Sequence, residues 1–202
     1  MITVLCSDKE HPAYKHYEKW CQENGYRIAS TTDELPGGEY LFLVSCTKII
    51  SKEIRDLYKH TLVIHESDLP KGRGWSPLVW QVLEGKNQIT ICLLEAADDV
   101  DTGDVWYRTL LLLDGTETYE EIHEKAAKRK ISLMTLALSR PLKPVPQTGE
   151  SSWYPKRFPK DSRIDPEKPL STQFDLLRVC DPRFPAFFTF RGSRYELYIK
   201  RV

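Results

Sequence analysis

Short apolar runs alternate with stretches of helical spacing through the first two thirds of the chain. Ile2 to Cys6 reads as a buried strand, and Tyr40 to Val44 is a continuous apolar run of the kind found in a central parallel strand. Between them, His11 to Asn24 sets Tyr14, Tyr17, Trp20 and Cys21 at helical spacing and stops at Gly25, a C-cap residue. Tyr26 to Ala29 predicts a second strand, and Leu35-Pro36-Gly37-Gly38 a turn. Ser51 to Tyr58 predicts a short helix and Thr61 to Ile64 the next strand. Alternation of this kind implies βαβ units and an α/β fold whose mostly parallel sheet carries helices on its faces.

After Pro77 the pattern predicts a helix from Leu78 to Glu84, stopped by Gly85. Two strands follow, Ile89 to Leu94 and Val105 to Leu113, separated by an acidic loop. The longest helix is expected over Glu117 to Leu138, with Ile122, Ala126, Ile131, Leu133, Met134 and Leu138 facing the core. From Pro141 the texture changes. Seven of the 13 prolines fall between positions 141 and 169, too many for a long helix or a central strand. The reading is therefore a core over 1–140, then a Pro-rich connector and small C-terminal unit over 141–202. Trp153, Tyr154 and Phe158 can pin the connector to the core. A short helix near Thr172 to Val179 precedes a β-hairpin, Ala186 to Phe190 and Arg194 to Lys200, turning at Arg191-Gly192-Ser193.

Composition narrows the field. Lys plus Arg and Asp plus Glu are both 29, so the formal net charge is zero. That speaks against a dedicated nucleic-acid binder, which needs a basic excess or face. The five cysteines are scattered, with no spacing suited to a zinc site, and no metal is expected. Cys6 and Cys92 lie in apolar runs and read as small buried hydrophobes. The N-terminal stretch lacks the basic-then-apolar pattern of a signal peptide, and no apolar run is long enough to cross a membrane. A cytoplasmic location follows as the expectation.

Two segments carry candidate chemistry. The strand ending at His65 runs into a Gly- and Pro-rich loop, Glu66 to Ser76, and then a helix. In parallel α/β sheets the ligand crevice lies at the carboxyl ends of the strands, so an imidazole there is placed to transfer protons near neutral pH. Its bland counterpart is a hydrogen-bonded structural histidine. Asp101, 36 residues further on, closes a loop between two strands and can return to the same sheet edge. A carboxylate beside the imidazole would fix its tautomer. Here the bland reading is a solvated turn decorated by Asp98, Asp99, Asp101 and Asp104.

Taken together, His65, Ser67, Leu69, Pro70, Gly74, Pro77, Gly85, Asp101 and Gly103 resemble, at fixed offsets, the formyltransferases. That family includes methionyl-tRNA, glycinamide ribonucleotide and sugar N-formyltransferases. The resemblance implies a compact, shortened Rossmann-like core and transfer of a formyl group from 10-formyltetrahydrofolate to an amine. It implies His65 and Asp101 as the catalytic pair. For the pterin it implies a cleft between two backbone segments, matched here by Cys46, Lys48, Ile49 and Ile50 and by Ala96, Asp98 and Val100. Ser67, Arg73, Gly74 and Trp75 are the corresponding candidates for contact with the acceptor. Cys46 beside a buried strand reads as packing, since direct transfer needs no nucleophile.

Two departures stand out. Where the family usually carries Asn two residues before the histidine, this chain has Val63, so the customary side-chain donor to the oxyanion is missing. Ser67, a backbone N–H or a water would have to replace it. By the same resemblance the chain is short by about one βα unit before Tyr40, which points to a small acceptor. The segments 147–157, 174–178 and 184–188 resemble the tails of bacterial sugar N-formyltransferases, narrowly those of pseudaminic-acid-type surface glycans. There Trp153 and Tyr154 can stack on a sugar or base, and Lys156, Arg157 and Arg178 can meet phosphate; equally, they can staple the connector. The acceptor implied is an amino sugar, with or without a linked nucleotide, and the resemblance makes a homodimer an expectation. Two alternatives remain: a formyltetrahydrofolate hydrolase, and a silent folate- or sugar-binding relative.

Overall fold

The apolar runs assemble into a six-stranded sheet. The computed structural model describes residues 1–140 and 143–202; Pro141 and Leu142, where the sequence sets the second segment's start, lie outside the described residues. In chain order the elements are β1 (Ile2–Leu5), α1 (Tyr14–Asn24), β2 (Arg27–Ala29), β3 (Gly38–Leu43), α2 (Lys52–Arg55) and β4 (Tyr58–His65). Then come β5 (Arg73–Gly74), α3 (Pro77–Leu83), β6 (Gln88–Glu95), β7 (Val105–Leu112) and α4 (Tyr119–Ser139). The chain finishes with β8 (Trp153–Tyr154), α5 (Phe174–Val179), β9 (Ala186–Phe190) and β10 (Ser193–Leu197).

The sheet order is β2-β1-β3-β4-β6-β7. β2, β1, β3 and β4 are parallel, whereas β6 runs against β4 and β7 against β6. The fold is α/β with a mostly parallel sheet, closed at the C-terminus by the β9–β10 hairpin. Shortness shows in the β2–β3 crossover, which holds one 3-10 turn, Thr32–Glu34, in place of a helix.

Side chains at the end of β3 alternate between two cores, which is why the run from Leu41 to Val44 is apolar at every position. Phe42 and Val44 face α1, α3 and α4, among Tyr17, Leu78, Ala126 and Met134. Leu41 and Leu43 face the opposite side, in a smaller cluster with Leu5, Ala29, Leu35, Ile50, Tyr58 and Ile54 of the short α2. Each such buried side chain contributes about 1.5–3 kcal/mol. β4 obeys the same alternation. Leu62 and Ile64 point to the helices, and Val63 and His65 to the thinly covered face. α1, α3 and α4 therefore all lie on the side away from His65, whose own side carries loops and the four-residue α2.

Several boundaries differ from the sequence expectation. The helix expected to reach Tyr58 stops at Arg55, because Tyr58 pairs with Gly38 and its hydroxyl lies 3.3 Å from Thr3 Oγ1. α4 begins two residues after Glu117, whose buried carboxylate instead accepts the N–H groups of Asp114 and Gly115. β10 ends at Leu197 rather than Lys200, since Leu197 already pairs with Ala186, the first residue of β9. Phe158 is 53% exposed and does not pin the connector; Tyr154 does, through stacking on Trp80 and a 2.9 Å hydrogen bond to Glu84.

Behind the sheet, α4 carries two buried polar residues, His123 and Lys130, beside His11 of the first loop. Burial, with help from the Lys130 charge, pushes the His11 imidazole down to about 4. Burial and the neighbouring His11 push His123 down to about 3. Both are neutral in the fold and titrate near 6.5 once unfolded, so their stabilisation is complete above that pH and is lost as pH falls toward 4. A tenfold difference in proton affinity between folded and unfolded chain is worth about 1.4 kcal/mol for each group. Urea midpoints measured from pH 7 to pH 4.5 should fall steadily, and His123→Leu should flatten the slope. A pH-independent midpoint over that range would refute this account.

Candidate active site

His65 ends β4 opposite Cys92 on β6, and the loop that follows folds back over it. Its Nε2 lies 2.8 Å from the Gly72 carbonyl. A carbonyl only accepts, so Nε2 carries the hydrogen and Nδ1 is the nitrogen left for chemistry. Nδ1 stands 3.4 Å from Asp101 Oδ2, a contact that becomes an ion pair only when the ring is protonated. Both side chains are more than nine-tenths buried. A proton delivered to Nδ1 therefore arrives facing a carboxylate in a site with little water.

Asp101 reaches this position through a tight loop. Its backbone is left-handed, with φ of 54°, a conformation that costs a non-glycine residue roughly 1 kcal/mol or more. The Oδ2 atom also accepts the Gly74 N–H at 2.9 Å. Gly103 is pressed onto the end of β6, where an added Cβ would fall 1.9 Å from the Glu95 carbonyl oxygen. No other residue type fits there without moving the loop.

The residues expected to meet the acceptor divide into two sorts. Ser67 is buried, and its Oγ has no hydrogen-bond partner among the described residues. The Gly74 N–H is engaged by Asp101, and Arg73 Nη2 by Gln147 at 2.7 Å. Trp75 alone of the four keeps a large exposed face, 39% of its surface, with Lys156 Nζ 5.1 Å from its ring centre. β5 is held by parallel pairing with β8, which sets Trp153 under the Arg73 guanidinium. Arg178, expected to meet phosphate, is 1% exposed and paired with Asp175 and Glu117, so it is structural. Arg157 lies over Trp80, with Nη2 on the Asp161 carbonyl.

The two segments expected to bracket a pterin do converge. Cys46, Ile50 and Ala96 join one apolar cluster together with Val63. Cys46 packs there, with burial pushing its thiol up to about 12, which makes it a poor nucleophile. Ile49 and Lys48 are exposed, and Asp98 is ion-paired with Arg55. A depression of about 400 Å³ opens beside Ala96 and Asp98, lined also by Arg55, Tyr58 and Thr61. Neither His65 nor Asp101 lines it, so the depression does not contain that pair. Val63 packs against Leu69, Cys92, Leu94 and Val105 and offers no donor.

Gln147 is the site residue that sequence reading did not single out. It comes from the connector and bonds to Arg73 and to the Asp101 loop. Its segment draws the eye for aromatic and basic residues, not for an amide; the only local signal is a lone Gln after Pro-Val-Pro.

Residues 8–138 match the model of the formyl transferase family. A methionyl-tRNA formyltransferase of Francisella philomiragia is 31% identical over 152 residues, covering 74% of this chain and 49% of that protein. The chain thus spans about half the length of the curated relatives it matches. A solved methionyl-tRNA formyltransferase from Clostridium thermocellum superposes with a TM-score of 0.86 at 28% identity, over 100% of this chain and 93% of that one. A sugar N-formyltransferase from Shewanella shares the fold, with a TM-score of 0.71 at 15% identity and coverage of 98% and 97%. The match over most of the sheet and its site loops settles the kinship: the chain belongs to the formyl transferase family.

Proposed function

We propose that this protein transfers a formyl group from 10-formyltetrahydrofolate to the primary amine of a small acceptor, an amino sugar with or without a linked nucleotide. The reaction reading rests on the His65–Asp101 contact at the mouth of the sheet. The donor supplies an activated formyl carbon that the neutral amine attacks. As the amine nitrogen bonds to the formyl carbon, the bond from that carbon to the folate N10 breaks. His65 Nδ1 receives the proton the amine sheds, Asp101 balances the resulting charge, and the proton passes on to N10 as tetrahydrofolate leaves. The Gly72 carbonyl holds the ring in the tautomer that keeps Nδ1 open. Ile50, Val63 and Ala96 supply an apolar wall suited to a flat pterin.

The acceptor reading rests on Trp75. It follows Gly74, the residue tied to Asp101, and pairs an exposed indole with the Lys156 ammonium. An aromatic face beside a cation suits a sugar or base ring bearing phosphate. Chain length carries no weight in this choice, because the chain covers nearly all of a structure named for methionyl-tRNA. A methionyl-tRNA acceptor is the second reading, favoured by the names of the curated relatives. The absence of a basic excess in the sequence weighs against it.

The test incubates the protein and 10-formyltetrahydrofolate with nucleotide-linked 4-amino sugars and, separately, with methionyl-tRNA. Mass spectrometry should detect a formamide on the sugar. Transfer to the tRNA alone would overturn the acceptor assignment. Formate release without either acceptor would indicate the hydrolase instead. With the sugar acceptor, Trp75→Ala should raise KM about tenfold with kcat little changed, the expected cost of one lost stacking face.

A further inference from the structure

We propose that Gln147 is a positioning residue that locks the Asp101 loop into its reactive geometry. This rests on the formyl-transfer reading of the site, and deepens it. The Gln147 carboxamide is used at both ends. Its Nε2 donates to the Asp101 carbonyl and to the Gly103 carbonyl, each at 2.8 Å, and its Oε1 accepts from Arg73 Nη2 at 2.7 Å. The amide has two N–H donors, and both are spent on the loop. The reverse orientation would set an oxygen against two carbonyl oxygens, so the chemistry admits one placement.

These bonds close a ring. Gln147 holds Arg73; the next residue, Gly74, donates to Asp101 Oδ2; and the Asp101 carbonyl returns to Gln147. Within that ring sits a left-handed, non-glycine residue whose carboxylate must stay near His65 Nδ1. Asp visits the left-handed region more readily than most residues but does not prefer it, so the conformation gains from support outside the loop. Asp101 would otherwise relax toward an ordinary backbone region and carry its carboxylate away. The clamp comes from the connector, 46 residues downstream, so the connector completes the site.

Two variants separate clamping from packing. Gln147→Ala removes all three bonds. Gln147→Glu keeps the size and the contact with Arg73 but turns two donors into an acceptor facing carbonyls. Displacing a reacting group by about an ångström can cost on the order of a hundredfold in rate. Both variants should lower kcat about ten- to a hundredfold with KM for donor and acceptor within a few fold, Glu at least as severely as Ala. A packing role predicts that the isosteric Glu stays near wild type, and that result would overturn the proposal. Hydrogen exchange of the Gly74 amide supplies a readout that needs no acceptor. It should speed up in both variants while the amides of β4 and β6 stay protected. If the wild type shows no transfer to any amine, the reaction reading fails; unchanged Gly74 protection in both variants would defeat the clamp itself.

Discussion

Replacing His65 with Asn should lower formyl transfer at least about a hundredfold while the protein remains folded, and Asp101→Asn should do the same. Asn at position 65 is a small polar replacement that ends short of the Nε2 position bonded to Gly72, and it has no atom able to take up a proton. Asn at position 101 keeps its shape and loses the charge that faces Nδ1 3.4 Å away. Because the two side chains act on one proton, their effects should not multiply. The double variant should be about as slow as either single one. Turnover with a competent acceptor, with thermal melting as the fold control, checks this. A folded single variant within a few fold of wild type would remove that residue from the chemistry.

That His65 and Asp101 meet at one edge of the sheet was legible in sequence for a physical reason. A strand end followed by a Gly-Pro loop announces a crevice residue, and Gly103 is demanded by a backbone approach too close for any Cβ. The alternating cores were legible too, since β3 and β6 are apolar at every buried position. Gln147 was not, because its partners are backbone carbonyls, which leave no imprint on residue type. Arg178 misled for the opposite reason. An Arg on a short helix reads as solvated or ligand-binding, and only coordinates reveal Glu117 buried beside it. Lys130 was hidden by its neighbours Lys128 and Arg129, which make the run look like a surface face. Its spacing held the missed signal: Ala126, Lys130, Leu133 and Ala137 lie along one core-facing stripe of α4.

That buried lysine carries the largest stability effect expected in the molecule. Lys130 is 2% exposed and ion-paired with Glu66, the residue after His65, which alternation turns to the helix-covered side of the sheet. Burial drives the Glu66 carboxyl up, but the Lys130 charge overrides it and leaves the group below the usual carboxylate range. For Lys130 burial acts downward, and Glu66 overrides it in turn, holding the ammonium above its ordinary value. Each charge is tolerable only because of the other. Lys130→Met strands a carboxylate in the core and should cost about 3–5 kcal/mol, read as a lower urea midpoint at constant slope. Removing both charges, Lys130→Met with Glu66→Gln, should restore most of that loss, since a buried pair replaced as a pair is often close to neutral. If the double variant is as unstable as the single one, packing of the lysine stem rather than charge pairing explains the loss. If neither variant is destabilised, the pair is not formed behind β4 at all.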